Sequence, residues 1–165
     1  MIVLGIDQSL TNTAYVLMEQ YPTGKYKVLE YGTIQTKLDG SIAKIASSIQ
    51  RVRTIRGKLR ALAKQADEVW LESLSFSSTG NATRDLAMLF FALADEFNAH
   101  WVAPTTLKKL ATGKGNTKGK EAMFLALPPA AQRVFGSIAK SKGRYDLADA
   151  FWICKYAFSL KGINK

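Results

Sequence analysis

Two short, wholly apolar runs that each end on an acidic residue constrain the fold most. Ile2 to Ile6 leads into Asp7, and Val69 to Leu71 leads into Glu72. A run without polar alternation is typical of a strand covered on both faces, as in the centre of an α/β sheet. Functional groups in such sheets gather beyond the strand ends. If the two strands are adjacent and parallel, both carboxylates therefore emerge on the same edge.

The rest of the chain alternates between strand and helix patterns. Segments from Thr13 to Met18 and from Lys27 to Thr36, joined by a turn at Pro22 to Gly24, predict an N-terminal meander. The further predicted elements, in chain order, are a long amphipathic helix from about Ile42 to Leu62, a helix from Thr83 to Phe97, a buried strand from Trp101 to Ala103, a basic helical region broken at Pro128-Pro129, and a helix from Asp146 to Leu160. This order predicts an α/β fold with a five-stranded mixed sheet and helices on both faces. The 165 residues are expected to form one domain, 1–165.

Net charge points to a polyanionic partner. The chain has 23 Lys and Arg against 13 Asp and Glu, a formal net charge of +10. Two long segments are almost purely basic: 40–66 holds seven basic residues and no acid, and 97–145 holds nine against Glu121 alone. Since each neutralised phosphate releases condensed counterions, these segments favour nucleic acid over the alternative of solvated helix faces.

Two further acids open the last apolar segment. Asp146 and Asp149 are three residues apart, so a helix places them on one face. Acids that repel each other at one place need a cation, and hard oxygen ligands suit Mg²⁺ or Mn²⁺. Two ions about 4 Å apart can activate water and stabilise the leaving oxygen of a phosphodiester. Taken singly, each acid has an ordinary alternative, because Asp7 and Asp146 could be caps and Glu72 could pair with an arginine.

Four motifs occur in an order that is more specific than any one of them. They are Gly5-Ile6-Asp7-Gln8-Ser9 with Thr13-Ala14-Tyr15, Leu71-Glu72-Ser73, Pro104-Thr105-Thr106-Leu107-Lys108 with Gly113-Lys114-Gly115, and Asp146-Leu147-Ala148-Asp149-Ala150. In these motifs the chain resembles the RuvC Holliday junction resolvases, which belong to the ribonuclease H-like superfamily. In its compact, divergent form it is similar to the phage-encoded branch.

The resemblance implies a homodimer that binds a four-way DNA junction and nicks two opposed strands, leaving 5′-phosphate and 3′-hydroxyl ends. Matched residue by residue, Asp7, Glu72, Asp146 and Asp149 fall on the family's metal-binding acids, with two Mg²⁺ or Mn²⁺ ions per site. Asp7 would bridge both ions. The expected DNA contacts are Phe76, Arg84, Lys108, Lys114, Lys118 and Lys120. No helicase partner can be identified from the sequence.

The chain departs from the family pattern at two positions. The family places a lysine at the scissile phosphate after the glycine loop, and here Lys118 and Lys120 straddle that position. Lys120 is preferred as the catalytic lysine, with a solvated lysine at a helix start as the alternative. An aromatic wedge is expected three residues past the second acid, where this chain has Ser75. Phe76 follows it and could stack on a base or pack under the loop.

The segment Leu86 to Leu93 leaves the second predicted helix apolar almost all round. A helix without a polar face must be covered on both sides. Either it lies at the centre of its own domain, or it forms the homodimer contact. The sequence leaves both alternatives open.

Other function classes fit less well. An actin-like ATPase also carries a first strand of this type, but it needs a second, similar half. A junction-binding protein without catalysis, and a ribonuclease H-like nuclease acting on hybrids or other branched DNA, stay open. No apolar run is long enough for a membrane span, and the lone Cys154 cannot form an internal disulfide. The cytoplasm is the expected compartment, that of the host if the chain is phage-encoded.

Overall fold

The computed structural model describes residues 1–74 and 81–162, and only the backbone of residues 81 and 82. Five strands form one mixed sheet in the order β3-β2-β1-β4-β5. Their bounds are β1 Ile2–Asp7, β2 Asn12–Gln20, β3 Tyr26–Gln35, β4 Glu68–Glu72 and β5 His100–Val102. Neighbours in the meander β1-β2-β3 pair antiparallel, whereas β4 pairs parallel with β1 and with β5. The predicted five-stranded mixed sheet is confirmed.

Helices cover both faces of this sheet, as predicted. They are α1 Lys44–Ala63, α2 Asn81–Phe97, α3 Pro104–Thr112, α4 Glu121–Leu125, α5 Pro129–Gly136 and α6 Arg144–Gly162, with a short 3₁₀ helix at Lys140–Lys142. The proline pair ends one helical region, and Pro129 opens α5 at a position where its missing N–H is not needed. No helix in this described part of the chain has the length and apolar content that a membrane span requires.

Side chains of β1 alternate between two apolar cores. Val3 packs on one face with residues of α6, and Leu4 and Ile6 pack on the other with α1 and α2. A strand buried on both faces explains why its sequence has no polar alternation. It also fixes the side on which Asp7 emerges, because Asp7 is an even number of positions from Val3 and so faces α6.

Gly5 lets α6 approach β1 closely. A Cβ atom at this position would lie 2.7 Å from the Cys154 sulfur and closer still to the Ala150 carbonyl oxygen. Both atoms belong to α6, so a side chain at Gly5 would push the helix outwards. The glycine therefore sets how near the first turns of α6 come to the end of β1.

Helix α2 is only in part what its sequence predicts. Leu89, Phe90 and Leu93 are buried in the core shared with α1, whereas Phe91 is 62% exposed. One face of α2 is therefore core, and the opposite face presents an aromatic ring. Strand β5 differs more from the prediction, because His100 and Trp101 are exposed and only Val102 is buried. An edge strand pairs on one side only, and its sequence alone does not show this.

Candidate active site

The parallel pairing of β1 and β4 brings two predicted acids together. Ile6 pairs with Leu71 in register, so Asp7 and Glu72 are the next residues at the same edge of the sheet. Both strands run in the same direction, and both carboxylates therefore leave at the carboxyl end. Gln8 links the ends of the two strands, since its side-chain amide donates a hydrogen bond to the Glu72 carbonyl oxygen at 2.5 Å.

Helix α6 adds Asp146 and Asp149 from above the sheet. Asp146 lies in its first turn, and Asp149 follows three residues later on the same side. The close approach of α6 to Gly5 carries this turn to the end of β1. Helix α6 therefore starts beside the end of β1.

The three other acids lie close enough to Asp7 for their charges to affect its pKa. Burial raises the pKa of Asp7 well above its usual value, and Asp149, Glu72 and Asp146 raise it further, in that order. Lys120 acts in the opposite direction. Like charges near a poorly solvated carboxylate disfavour its ionised form.

The pKa values of Asp149 and Glu72 are shifted in the same direction as that of Asp7. Burial, followed by the charge of Glu72, raises the pKa of Asp149 to about 7. Burial also raises the pKa of Glu72, while Lys108 and Lys120 oppose the increase. Three carboxyls with raised pKa values at one edge form a site that a cation would stabilise.

Lys120 contacts the site directly. It precedes α4, and its Nζ lies 2.9 Å from Asp146 Oδ1. This hydrogen bond, followed by the charges of the acids, raises the pKa of Lys120. Lys118, the other candidate, is exposed two residues earlier. Between the two lysines that straddle the expected position, the structure brings Lys120 to the acids.

Comparison with known proteins gives the family. The sequence profile described as "Crossover junction endodeoxyribonuclease RuvC" matches residues 3–150, which include all four acids and Lys120. The chain belongs to the RuvC family. It is thus a crossover junction endodeoxyribonuclease by family, and RuvC-family nucleases in general depend on divalent metal ions. The "Crossover junction endodeoxyribonuclease RuvC" of Alkaliphilus metalliredigens (strain QYMF) is 29% identical over 129 residues, 73% of this chain and 74% of the relative.

Solved structures of similar proteins have the same fold. Thermus thermophilus RuvC superposes with a TM-score of 0.68 at 21% identity, over 98% of this chain and 96% of the other. The yeast mitochondrial Holliday junction resolvase Ydc2 gives 0.63 at 18%, over 92% and 75%. A fowlpox virus resolvase, in a complex with Holliday junction DNA, gives 0.58 at 15%, over 96% and 97%. At such identities the likeness supports the ribonuclease H-like fold itself.

Asn12 contacts the acids, although the sequence did not single it out. Its Nδ2 donates a hydrogen bond to Asp146 Oδ2 at 2.8 Å, so Asp146 is held from both sides, by Asn12 and by Lys120. The Asn12 Oδ1 atom is buried and has no hydrogen-bond partner among the described residues. The only signal in the sequence is a polar residue close behind Asp7, which is too common to identify a site.

Of the other predicted DNA contacts, Lys108 lies nearest the acids. It is partly buried on α3, and its charge lowers the pKa of both Glu72 and Asp149. Lys114 and Arg84 are exposed. Phe76, the predicted wedge, lies outside the described residues.

The donors fit a divalent ion in their chemistry. Carboxylate oxygens are the hard ligands that Mg²⁺ and Mn²⁺ prefer. Within residues 1–74 and 81–162, however, no three His, Cys, Asp or Glu side chains are grouped so as to hold a metal ion. Asp146 is engaged by Lys120 and Asn12. Metal binding would therefore require the acids to draw inwards.

Proposed function

We propose that this RuvC-family chain, as one domain spanning residues 1–165, resolves four-way DNA junctions by paired nicks that leave 5′-phosphate and 3′-hydroxyl ends. The observation that carries the proposal is the convergence of Asp7 and Glu72 from parallel strands with Asp149 from α6. Lys120 and Lys108 border the same cluster. Negative side chains edged by lysines suit a site that must hold both cations and a phosphate.

The metal ligands would be Asp7, Glu72, Asp146 and Asp149, holding two Mg²⁺ or Mn²⁺ ions. When bound, such ions supply activation of a water and charge stabilisation at the leaving oxygen. The three other acids all raise the pKa of Asp7, so Asp7 would share the cations with each of them. Asp146 would exchange its bond to Lys120 for this role.

Lys120 would then be able to contact the scissile phosphate. Once its ammonium leaves Asp146, it can donate hydrogen bonds to a non-bridging oxygen of the scissile phosphate. A positioned cation at developing negative charge acts most strongly where water is excluded. Asn12 would keep its bond to Asp146 during the exchange and so limit the movement of that carboxylate.

The decisive experiment compares substrates and metals side by side. Four-way, three-way, flap and RNA–DNA hybrid substrates are incubated with the protein in Mg²⁺ and in Mn²⁺, and the cut positions and end groups are mapped. The proposal expects paired, symmetric nicks in the four-way junction above all others. Preferred cutting of hybrids or flaps would point to another ribonuclease H-like activity. Junction binding without cleavage in either metal would contradict the catalytic proposal.

We also propose that the enzyme is a homodimer through the exposed face of α2, in the segment Leu86 to Leu93. Phe91 is 62% exposed, and its ring lies 5.4 Å from that of Phe90, which in turn contacts the exposed Trp101 at 6.4 Å. An exposed aromatic patch of this kind suits an interface that places two active sites on one junction.

Paired variants separate the core from the contact. Phe91→Asp should give folded monomers by light scattering, because it places a charge in the interface and leaves the core intact. Phe90→Asp should unfold the protein, since Phe90 is 8% exposed. A monomeric wild type, or a Phe91→Asp variant that stays dimeric, would reject this interface.

A further inference from the structure

Arg51 is held in an unusual way on α1. Its Nε donates to Thr36 Oγ1 at 2.9 Å, and its Nη2 donates to Thr11 Oγ1 at 3.3 Å. Both acceptors are neutral hydroxyls, so the guanidinium is oriented while its charge stays uncompensated. A guanidinium has five N–H donors in a fixed fork, and these two bonds leave the remaining donors of the fork for another acceptor.

Two other arginines of α1 are bound to an acid. Arg56 and Arg60 both pair with Glu96, at 2.8 and 2.6 Å. Among the ion pairs formed by described residues, none includes Arg51. The nearest acid before it in the chain, Asp39, accepts hydrogen bonds from Ser41. Within the described part of the chain, Arg51 is thus a fixed positive charge without a carboxylate partner.

The hydroxyls that hold Arg51 lie at the edge of the sheet where the acids are. Thr36 follows β3, which ends at the same edge as β1, and its amide donates to the Thr11 carbonyl oxygen at 3.2 Å. Thr11 directly precedes Asn12, whose side chain donates to Asp146. Two successive residues therefore link Arg51, on the α1 side of the sheet, with the acid cluster on the α6 side.

We propose that Arg51 binds a backbone phosphate of the DNA strand that crosses this edge, on the side of the sheet opposite Lys120. The segment that holds Arg51 adjoins the acids through Thr11 and Asn12, so a strand that extends from the acids across this segment would meet the oriented guanidinium. A guanidinium fork matches two phosphate oxygens. The inference rests on the proposed function, because it assigns a contact to the same DNA substrate.

The salt dependence of junction binding tests this contact. The probe is a four-way junction, with binding measured in EDTA from low to high salt for wild type, Arg51→Gln and Arg53→Gln. Arg53 is an exposed arginine two residues away, and its substitution by Gln removes the same charge. We expect Arg51→Gln to weaken binding about tenfold and to reduce the slope of log K against log salt by about 1. Arg53→Gln should change the slope much less. Equal changes in the two variants, or none in either, would overturn the proposal.

Charge-neutral methylphosphonate substitutions then locate the phosphate. At one position near the cut site, neutralising the phosphate should weaken wild-type binding and leave Arg51→Gln unchanged. Uniform sensitivity of both proteins at every position would overturn the contact. Arg51→Lys should keep the salt slope while losing part of the affinity, which a purely structural role in the loop would not produce. These outcomes are separate from failure of the proposed function, which would appear as wild type that binds but does not cut.

Discussion

The two ends of the sheet hold acidic residues in opposite electrostatic states. At the carboxyl end, Asp7, Glu72 and Asp149 have raised pKa values, because burial and mutual repulsion disfavour their charges. At the amino end, Glu68 and Glu96 have lowered pKa values. Ionised acidic residues thus destabilise the carboxyl end of the sheet and stabilise its amino end.

Partners explain the difference. Glu96 accepts from Arg60 and Arg56. Glu68 is opposed by its own burial, but hydrogen bonds from Lys161 and Trp70 outweigh that effect. At the carboxyl end, the acids outnumber the lysines that lie near them. Strain of this kind is typical of functional sites, where charge is arranged for a ligand instead of for the folded chain.

Removing one acid at the carboxyl end should have the largest effect. Asp149→Asn is expected to lower cleavage more than about 100-fold, because it removes a proposed metal ligand, whereas loss of an outer-shell partner typically costs about 10- to 100-fold. Junction binding should persist, since the basic surface is unchanged. Single-turnover cleavage and gel-shift assays measure the two quantities.

Asp95→Asn is the matched control, because Asp95 is an exposed acid on α2 near the amino end. It should cleave like wild type. A folded Asp149→Asn variant that loses binding and cleavage in equal measure would contradict the separation of roles.

Closing the gap between β1 and α6 should have the next largest effect. Gly5→Ala inserts a methyl group against Ala150 and Cys154, and overpacking of this kind costs about 1–3 kcal/mol. It should also slow cleavage, because the first turn of α6 moves. Chemical denaturation and cleavage rates report both changes.

Gly57→Ala, in α1, meets nothing within 4 Å and is the control. It should stabilise the protein by up to about 1 kcal/mol through helix propensity. If Gly5→Ala were as stable and active as wild type, the close approach would not position the site.

Raised carboxyl pKa values predict an unusual pH dependence of stability. Asp149 holds its proton in the folded state up to about pH 7, whereas the unfolded chain releases it near the ordinary value for Asp. Metal-free protein should therefore lose stability as pH rises from about 4 to 7, by several degrees in Tm relative to Asp149→Asn. Mg²⁺ should restore Tm at neutral pH, and EDTA should remove the gain. A flat profile that Mg²⁺ does not alter would contradict the repulsion.

The amino end should respond least and in the opposite sense. Glu96 has a lowered pKa, so its contribution is present at neutral pH and is lost as pH falls through its folded-state pKa. Glu96→Gln should lower Tm slightly and leave cleavage unchanged, because exposed ion pairs contribute little. A large loss of cleavage in this variant would show that the two ends are coupled.

Much of this arrangement could be predicted from local sequence. Apolar runs that end on Asp7 and Glu72 predicted two buried strands, and the spacing of Asp146 and Asp149 predicted one helix face. The adjacency and parallel pairing of these two strands stood only as a condition in the sequence, and the structure meets it. What could not be predicted depends on tertiary pairing: Asn12 contacts Asp146 across 134 residues, and Arg51 meets Thr11 and Thr36 only after β2 and β3 have paired.

The sequence pattern also could not predict which side chains of α2 are exposed. Phe90 and Phe91 are equally apolar neighbours, yet one is core and the other is exposed. The rotation of α2 on the sheet decides this, and an all-apolar helix gives no hydrophobic face from which to predict that rotation.

Direct titration of Asp149 by NMR of its side-chain carboxyl carbon tests the central claim, that the acids form one repelling cluster made for cations. We expect a midpoint at about 7 without metal and a marked decrease on adding Mg²⁺. A midpoint near the ordinary value for Asp, insensitive to Mg²⁺, would contradict it.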